Sequence, residues 1–263
     1  MIVEQIWTGN AYRNFNYLIA CPETGEAMAI DPLDSEKCLA MAKAKGWTIR
    51  QVLNTHEHHD HIGGNQAVVE ATGARVLAHA NAKDKIPGLD QGLTAGDVIK
   101  IGSTVEIEAL DTPGHTMSHI CLLTRTDQPA LICGDTLFNA GAGNCHNGGH
   151  PNELYETFVG QLSKLPDQTL IYPGHDYIVN NLQFTLDREP DNERAKGLLD
   201  KVDDQDPGNA LVSTLGLEKE INTFFRLHSA TVIARLRESF PDLPDVVDPK
   251  TVFVKLRELR NSW

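Results

Sequence analysis

The most informative stretch of this chain is Thr55-His56-Glu57-His58-His59-Asp60-His61. It follows a short segment with the composition of a β-strand. Four of its seven residues are histidine, and neutral imidazole is the commonest protein ligand of zinc and similar metals. Residues two apart in an extended loop point the same way, so His56 and His58 can bind one ion. Asp60 and His61 then fall beyond the turn, where they can bind a second ion.

A solvated, histidine-rich loop is the alternative interpretation of this stretch. It is disfavoured because Gly63 and Gly64 follow at once and have the pattern of a tight turn into a helix. One cluster cannot complete two metal sites, so we expect further histidine or aspartate ligands at the ends of other strands.

Three later segments of strand composition do end in such residues. The motifs are Asp111-Thr-Pro-Gly-His115, Cys133-Gly-Asp-Thr136 and Tyr172-Pro-Gly-His-Asp176. Each places glycine or proline beside the candidate ligand, which lets the backbone turn sharply. Taken singly, His115 or His175 would more often be structural, and Asp135 a turn residue. Together with the first cluster, they indicate one shared metal-binding cleft.

Composition limits the class of protein. A chain of 263 residues suggests one large domain or one domain with an appendage. Its 41% hydrophobic and 22% charged residues are typical of a folded protein rather than a disordered chain. The formal charge of −13 argues against nucleic acid as the main partner, since such proteins usually have a basic face. No stretch approaches the roughly 18 consecutive apolar residues of a membrane helix, so no membrane partner is expected.

The cysteines and the N-terminus bear on the cellular compartment. The five cysteines are odd in number, widely spaced and without a C-x-x-C pair, which argues against a disulfide scaffold. The first five residues include an acid where a secretory signal needs basic residues, and no apolar segment follows. We therefore expect a reducing, cytoplasmic location.

The apolar pattern predicts an α+β fold in which strands come first and helices last. The predicted strands cover residues 16–20, 27–30, 49–54, 75–78, 105–110, 119–124, 130–133 and 169–172. The predicted helices cover residues 35–45, 64–71 and 152–165, and then 178–188, 192–202, 229–239 and 250–259. No clear strand is expected after Tyr177. This change predicts a boundary near 175–180, with a metal-bearing domain at 1–175 and a helical domain at 176–263.

The ordered set H-x-H-x-D-H, Gly-His, Gly-Asp-Thr and Gly-His resembles the metallo-β-lactamase superfamily. Within it, the chain is similar to glyoxalase II, the hydroxyacylglutathione hydrolases. The stretches that carry this closer similarity are Cys133-Gly-Asp-Thr-Leu-Phe-Asn-Ala-Gly141, Gly174-His-Asp-Tyr-Ile-Val-Asn-Asn-Leu182, Ser213-Thr-Leu and Asn222-Thr-Phe-Phe-Arg226. The resemblance spans nearly the whole chain and implies a four-layer αββα sandwich followed by a helical substrate-binding domain.

The resemblance also implies which residues would bind two divalent metal ions. The ligands of the first ion would be His56, His58 and His115, and those of the second Asp60, His61 and His175. Asp135 would bridge the two ions. His119 is expected beside the ions rather than as a ligand, whereas Glu57 and His59 occupy variable positions without an expected role. Zinc is the expected metal, with iron or manganese as alternatives, because histidine and aspartate ligands suit all three.

Two metal ions about 3.5 to 4 Å apart can hold a bridging water as hydroxide at neutral pH, ready to attack a carbonyl. Asp60 and Asp135 are therefore the expected catalytic residues, with Asp60 also able to orient the nucleophile. The sequence has no G-x-S-x-G motif and no cysteine in a nucleophile context. A thioester suits this chemistry, because a thiolate with a pKa near ~8.5 leaves without much acid assistance.

The resemblance places the thiol carrier, glutathione, on residues near the C-terminus. Tyr177 follows the last metal histidine, and Arg257 and Arg260 lie one helical turn apart, where they could hold a carboxylate. Asn144 and His146 are also expected at the substrate. They stand where the family usually has a lysine and an aromatic residue, which predicts weaker glutathione binding or a different carrier.

The leading hypothesis is thus a binuclear thioesterase that cleaves S-D-lactoylglutathione, or a related acyl-glutathione, in methylglyoxal detoxification. A persulfide dioxygenase with one iron is the first alternative, and the complete second ligand set disfavours it. A phosphodiesterase or nuclease on the same scaffold is disfavoured by the charge of −13. A non-enzymatic binding protein would not need all seven ligands. The sequence does not indicate the oligomeric state.

Overall fold

The computed structural model describes all 263 residues and contains two six-stranded sheets. The strands of the first sheet, in spatial order, are β1 (Ile2–Trp7), β2 (Phe15–Ala20), β3 (Glu26–Ile30), β4 (Thr48–Leu53), β5 (Arg75–His79) and β6 (Leu89–Leu93). The first three strands pair antiparallel, and β3 to β6 pair parallel.

The second sheet has the spatial order β14-β13-β10-β9-β8-β7. Its strands are β7 (Val98–Ile101), β8 (Val105–Asp111), β9 (Ile120–Thr124), β10 (Ala130–Gly134), β13 (Leu170–Pro173) and β14 (Ser213–Thr214). A separate hairpin consists of β11 (Leu137–Phe138) and β12 (Gly141–Ala142). In the chain it follows β10 and precedes β13, two neighbouring strands of the second sheet.

Besides three short 3-10 helices, nine α-helices make up the remaining regular structure. They are α1 (Ser35–Lys45), α2 (His59–Ile62), α3 (Asn65–Thr72), α4 (Pro151–Gly160), α5 (Ile178–Arg188), α6 (Glu193–Val202), α7 (Leu215–Ile221), α8 (Ala230–Ser239) and α9 (Pro249–Arg260). Local sequence sets their ends. Asp34 caps the first turn of α1 by accepting from Lys37 N, and Gly46 ends that helix in the left-handed conformation.

The two sheets pack face to face through alternating side chains. In β8, Val105, Ile107 and Ala109 are buried, and they join residues such as Tyr17 and Ile19 of β2 in the core between the sheets. Helices α1 and α3 cover the outer face of the first sheet, as Cys38, Ala42 and Val68 share a core with its outward residues. The structure confirms an α+β sandwich.

The C-terminal helices complete the fourth layer. Phe158 of α4 shares a core on the outer face of the second sheet with Phe224, Phe253 and Leu256. The segment 176–263 therefore packs directly on the sandwich. None of the helices in the molecule is long and apolar enough to cross a membrane.

Some predictions about individual elements were wrong. Residues 213–214 form β14, which pairs antiparallel with β13, although no strand is predicted after Tyr177. The predicted helix 152–165 ends at Gly160 and continues as the short 3-10 helix Leu162–Lys164. Strands β1, β6 and β7 were not predicted. In β6, three of the five residues are exposed, so the apolar pattern is too weak to identify a strand.

Candidate metal centre and substrate cavity

All predicted metal ligands lie in segments that follow strands. β8, β10 and β13 run in the same direction, because β9 is antiparallel to β8 and β10, and β13 is parallel to β10. Their carboxyl ends therefore lie at one edge of the second sheet, where His115, Asp135 and His175 follow. The loop after β4 and helix α2 bring residues 56–61 to the same edge.

Three histidines lie together at the first candidate metal position, which we define as His56, His58 and His115. The Nδ1 atom of His58 lies 3.0 Å from His56 Nε2 and 3.0 Å from His115 Nε2. His56 and His115 are buried, and His58 is half-buried. Three imidazole nitrogens thus converge on one point, an arrangement that suits zinc and similar metals.

The second candidate metal position consists of Asp60, His61 and His175. The Nε2 atoms of the two histidines lie 3.2 Å apart, and Asp60 Oδ2 lies 3.6 Å and 3.5 Å from them. Asn14 orients the Asp60 carboxylate by donating from Nδ2 to Oδ2 over 3.1 Å. One carboxylate and two imidazoles thus meet at this position.

Asp135 lies between the two positions. Its Oδ2 atom is 3.5 Å from His115 Nε2 and 3.2 Å from His175 Nε2, and its Oδ1 is 3.4 Å from His61 Nε2. Oδ1 is buried and has no hydrogen-bond partner. Burial alone would raise the pKa of Asp135, but His175 and His61 outweigh it and hold that pKa well below the usual value. A buried carboxylate with a free oxygen, beside ligands of both positions, fits a bridging role.

The outward nitrogens of the histidines show which inward nitrogens carry no proton. His115 donates from Nδ1 to Asn144 O over 2.6 Å, and His58 donates from Nε2 to Asn147 O over 3.0 Å. Their facing nitrogens are therefore bare lone pairs 3.0 Å apart. Such lone pairs repel each other unless a cation binds them, so the residues present fit a metal ion.

The second position has the same design. His61 donates from Nδ1 to Asp31 Oδ2 over 2.9 Å, and His175 donates from Nδ1 to Tyr12 O over 2.7 Å. Although burial disfavours a charged imidazole, Asp135 and Asp31 raise the pKa of His61 well above its usual value. The buried carboxylates thus favour a positive charge here, which a metal ion can supply.

Burial affects the charge of the histidines around the first metal position. Burial lowers the pKa of His115 to about 4 and that of His56 well below its usual value, which keeps both imidazoles neutral, as ligation requires. His119 is buried beside His56, and its Nε2 accepts from Asp135 N over 3.2 Å. It therefore contacts the backbone of the predicted bridging residue.

The glycines of the ligand motifs permit close approach. A side chain on Gly174 would place Cβ 2.3 Å from Asp135 Oδ1. Gly134 has φ of 45°, in the left-handed region, and its Cβ would lie 2.5 Å from Thr55 Oγ1. Packing around the metal centre, as well as turn geometry, therefore requires glycine at these two positions.

Sequence reasoning missed the residues that hold the ligands from behind. Asp31 contacts His61 and accepts from Thr55 N over 2.8 Å, and Asn14 contacts Asp60. Asp31 follows β3 directly, so an acid at the end of a strand was the available signal. Asn14 and the carbonyl of Tyr12 precede β2 and had no recognisable motif.

Two adjoining cavities lie at this edge of the sandwich. The metal cavity, of about 460 Å³, is lined by residues of both metal positions together with Tyr12, Phe138 and Asn147. The second cavity has a volume of about 230 Å³, and we name it the carrier cavity after the thiol carrier that the resemblance predicts there. It is lined by Phe138, Ala142, Asn144, His146, Tyr177, Asn181, Arg257, Arg260 and Asn261. Phe138, Asn144 and Tyr177 line both cavities. All five predicted substrate residues thus line the carrier cavity.

The two arginines differ in their surroundings. Arg257 is only 4% exposed, and its Nη1 donates to Ala142 O over 2.7 Å and to Gly143 O over 3.2 Å. Burial lowers the pKa of Arg257 to about 10. Arg260 is half-buried and donates to Asn181 Oδ1 over 3.2 Å. Arg260 therefore has more of its guanidinium available for a ligand.

Tyr177 connects the two cavities. Its ring stacks on His175 at a centroid distance of 4.9 Å, and its hydroxyl donates to Tyr12 O over 2.9 Å. Burial raises the pKa of Tyr177, so the hydroxyl stays protonated at neutral pH and can act as a donor.

Comparison with known proteins shows similarity along the whole chain. The family model for the metallo-beta-lactamase superfamily matches residues 13–175, and that for the hydroxyacylglutathione hydrolase C-terminus matches residues 176–263. The chain is 71% identical over 263 residues to a hydroxyacylglutathione hydrolase of Polaromonas sp., with 100% of both chains covered. It is 68% identical, again with 100% of both chains covered, to a hydroxyacylglutathione hydrolase of Nitrosococcus oceani.

A solved structure has a similar fold. The crystal structure of ETHE1 from Myxococcus xanthus matches with a TM-score of 0.68 and 26% identity, over 100% of this chain and 99% of that chain. The match to the hydroxyacylglutathione hydrolase C-terminus is more specific, since it covers the helical segment that carries Arg257 and Arg260. These findings confirm the resemblance and favour the thioesterase hypothesis over the dioxygenase alternative. The chain belongs to the hydroxyacylglutathione hydrolase family, within the metallo-β-lactamase superfamily.

Proposed function

We propose that the protein hydrolyses S-D-lactoylglutathione, or a related acyl-glutathione, to glutathione and a 2-hydroxy acid. The observation that carries this proposal is the full-length match, at 71% identity, to a relative named hydroxyacylglutathione hydrolase. The two adjoining cavities support it, because one holds the candidate metal ligands and the other holds guanidinium groups suited to a carboxylate. The reaction would regenerate glutathione during methylglyoxal detoxification.

The family binds divalent metal, and the proposal here is for two ions. His56, His58 and His115 would hold one, Asp60, His61 and His175 the other, and Asp135 both. The geometry supports this assignment, because each set converges on a point and Asp135 has a buried free oxygen between them. Zinc is the preferred choice, and iron or manganese would also accept these ligands.

When bound, the two ions would supply hydroxide at neutral pH and polarise the carbonyl of the thioester. The carboxylate of Asp60, oriented by Asn14, would hold the nucleophile by a hydrogen bond. Asp135 would remain a carboxylate throughout, since the surrounding histidines hold its pKa low. The thiolate leaving group, with a pKa near ~8.5, would need no general acid from the protein.

The carrier would lie in the second cavity with its thioester directed into the first. Arg260 would bind a carboxylate of the tripeptide, and Tyr177 would contact the carrier where the two cavities meet. Asn144, His146 and the accessible part of Arg257 would complete the wall. Asn144 is exposed and neutral, which fits weaker carrier binding than a lysine would give at this position.

Two histidine substitutions test the proposal. His58→Ala removes one nitrogen of the first metal position and should lower the rate of S-D-lactoylglutathione hydrolysis by ~100-fold or more. His228→Ala is the matched control, since His228 is exposed on the helical segment and should leave the rate unchanged. Release of free thiol provides the assay. Equal rates in the two variants, or no thiol release by the parent protein, would refute the proposal.

A further inference from the structure

We propose that Glu57 is a positioning residue that holds the two parts of the first metal position together. The inference rests on the proposed function, because it concerns the position made by His56, His58 and His115. Glu57 lies between two of these ligands in the chain, whereas the third belongs to the loop after β8. The sequence alone assigns Glu57 no role.

The Glu57 carboxylate accepts hydrogen bonds from the loop that carries His115. Thr116 Oγ1 donates to Oε2 over 3.0 Å, and Ser118 Oγ lies 3.1 Å from each carboxylate oxygen. Thr116 is fully buried and Ser118 is 1% exposed, so water does not compete for these donors. Both residues lie within three positions of His115, so a shift of either would move that ligand.

Lys85 supplies the positive charge that makes this contact strong. Its Nζ lies 2.5 Å from Glu57 Oε1 and 3.0 Å from Ser118 Oγ. The Glu57 side chain is 10% exposed, and that of Lys85 is 47% exposed. Charge-assisted hydrogen bonds are roughly twice as strong as neutral ones. Glu57 is therefore held by a cation and two hydroxyl groups, and one of these hydroxyls also contacts the cation.

Together these contacts join residues 56–58 to residues 115–118. A backbone hydrogen bond from Ile120 N to Thr55 O, 2.9 Å long, links the same two segments at their bases. The Glu57 contact lies closer along the chain to the ligands, because Glu57 is adjacent to His58 and Thr116 is adjacent to His115. Glu57 is not itself among the converging ligand atoms, so it acts through the two loops.

The test compares metal affinity in two glutamate variants. Glu57→Gln keeps the shape but loses the charge, and should weaken binding at the first position by about 10- to 100-fold while the second position is unchanged. Glu106→Gln is the matched control, because Glu106 pairs with Lys100 over 3.2 Å on the exposed surface. Cobalt titration against a chelator measures the two binding steps, and His58→Ala identifies the step that belongs to the first position.

Three further readouts separate positioning from general damage to the fold. Thr116→Val combined with Ser118→Ala should reproduce the selective loss, because it removes the donors on the other side of the contact. In Glu57→Gln, kcat should fall while KM stays within about twofold, since Glu57 does not line the carrier cavity. Thermal unfolding of the metal-free variants should remain cooperative.

The possible outcomes also distinguish this inference from the proposed function. Parent-like affinity at both positions in Glu57→Gln, or equal loss at both, would overturn the role of Glu57 alone. If His58→Ala leaves both binding steps intact, the three histidines hold no metal, and the proposed function itself fails.

Discussion

Single residues behind the candidate metal ligands hold the imidazole rings by hydrogen bonds. Each histidine of the second metal position donates its outward N–H to a fixed acceptor, Asp31 Oδ2 or Tyr12 O. This fixes which nitrogen is free to bind metal and keeps the ring in one orientation. The accuracy of the site therefore depends on residues far from the histidine motif in the chain.

Asp31→Asn tests that dependence at the second position. Asp31 has φ of 47°, and asparagine tolerates this left-handed conformation, so the backbone should be unchanged. The loss of the carboxylate beside His61 should weaken the second metal by about 10- to 100-fold. Metal titration measures the effect. Asp34→Asn is the control, because asparagine can cap helix α1 at position 34 as aspartate does. Equal affinity in the two variants would contradict this role for Asp31.

The candidate metal ligands could be predicted from the sequence because they lie in recognisable motifs. The seven candidate ligands come from four short motifs, and the structure brings their side chains to one edge of the sandwich. Nothing in the sequence indicated Asn14 or the carbonyl groups of Tyr12 and Asn147, because these contacts form only when distant segments pack together. The role predicted for each ligand and the cytoplasmic location stay predictions.

At the scale of elements, the hairpin of β11 and β12 connects the metal centre to the C-terminal helices. Asn181 donates to Asn139 O over 2.9 Å, and Asn222 donates to Gly141 O over 3.0 Å. Arg257 holds the next carbonyl groups. The loop after this hairpin then supplies the acceptors for His115 and His58. The helices thus help to position the first metal ligands.

The two arginines of α9 should therefore respond differently to substitution. Arg260→Ala should raise KM for the glutathione thioester about tenfold with kcat nearly unchanged, because it removes the proposed contact to the carrier and, within the protein, one hydrogen bond to Asn181 Oδ1. Arg257→Ala should also lower kcat and the unfolding temperature, since it leaves two buried carbonyl groups without a donor.

Steady-state kinetics and thermal unfolding measure both effects. Arg235→Ala on α8 is the control, because Arg235 lies in a surface pair with Glu238. The same kinetic change in the two α9 variants, with equal stability, would contradict the distinction drawn from the structure.

Elements with an apolar period, such as α5, or with capping residues at both ends, such as Asp34 and Gly46 of α1, were predictable from the sequence. Helices α1 and α5 match the predicted segments, and so does the position of the buried strand β10. The two-residue strand β14 was not predictable, because Ser213 and Thr214 have no pattern of their own and pair only after β13 is in place. Tertiary contacts rather than local preference determine such short strands.

On the scale of the whole molecule, the C-terminal helices share a hydrophobic core with the outer face of the second sheet. Phe184, Phe224 and Phe253 contact the same apolar cluster as Leu131 and Ile171 of the second sheet. Ser213 and Thr214 also extend that sheet. The boundary predicted near 175–180 therefore separates two segments that share a packed interface.

A chain that ends at residue 175 should not fold stably by itself. It would expose the outer face of the second sheet, and exposed apolar patches of that kind promote aggregation. We expect insoluble or molten protein from 1–175 and cooperative unfolding from the full chain, as measured by solubility and by near-UV circular dichroism. A soluble fragment with a cooperative transition would contradict the shared core.

The central claim is that two metal ions and the adjoining carrier cavity act together on a glutathione thioester. The most direct measurement is metal analysis and thiol release on one sample of the purified protein. We expect close to two transition-metal ions per chain and hydrolysis of S-D-lactoylglutathione. Metal and activity should be lost together on chelation and recovered together on reconstitution. One ion per chain, with oxygen consumption on glutathione persulfide and no thiol release from the thioester, would contradict it.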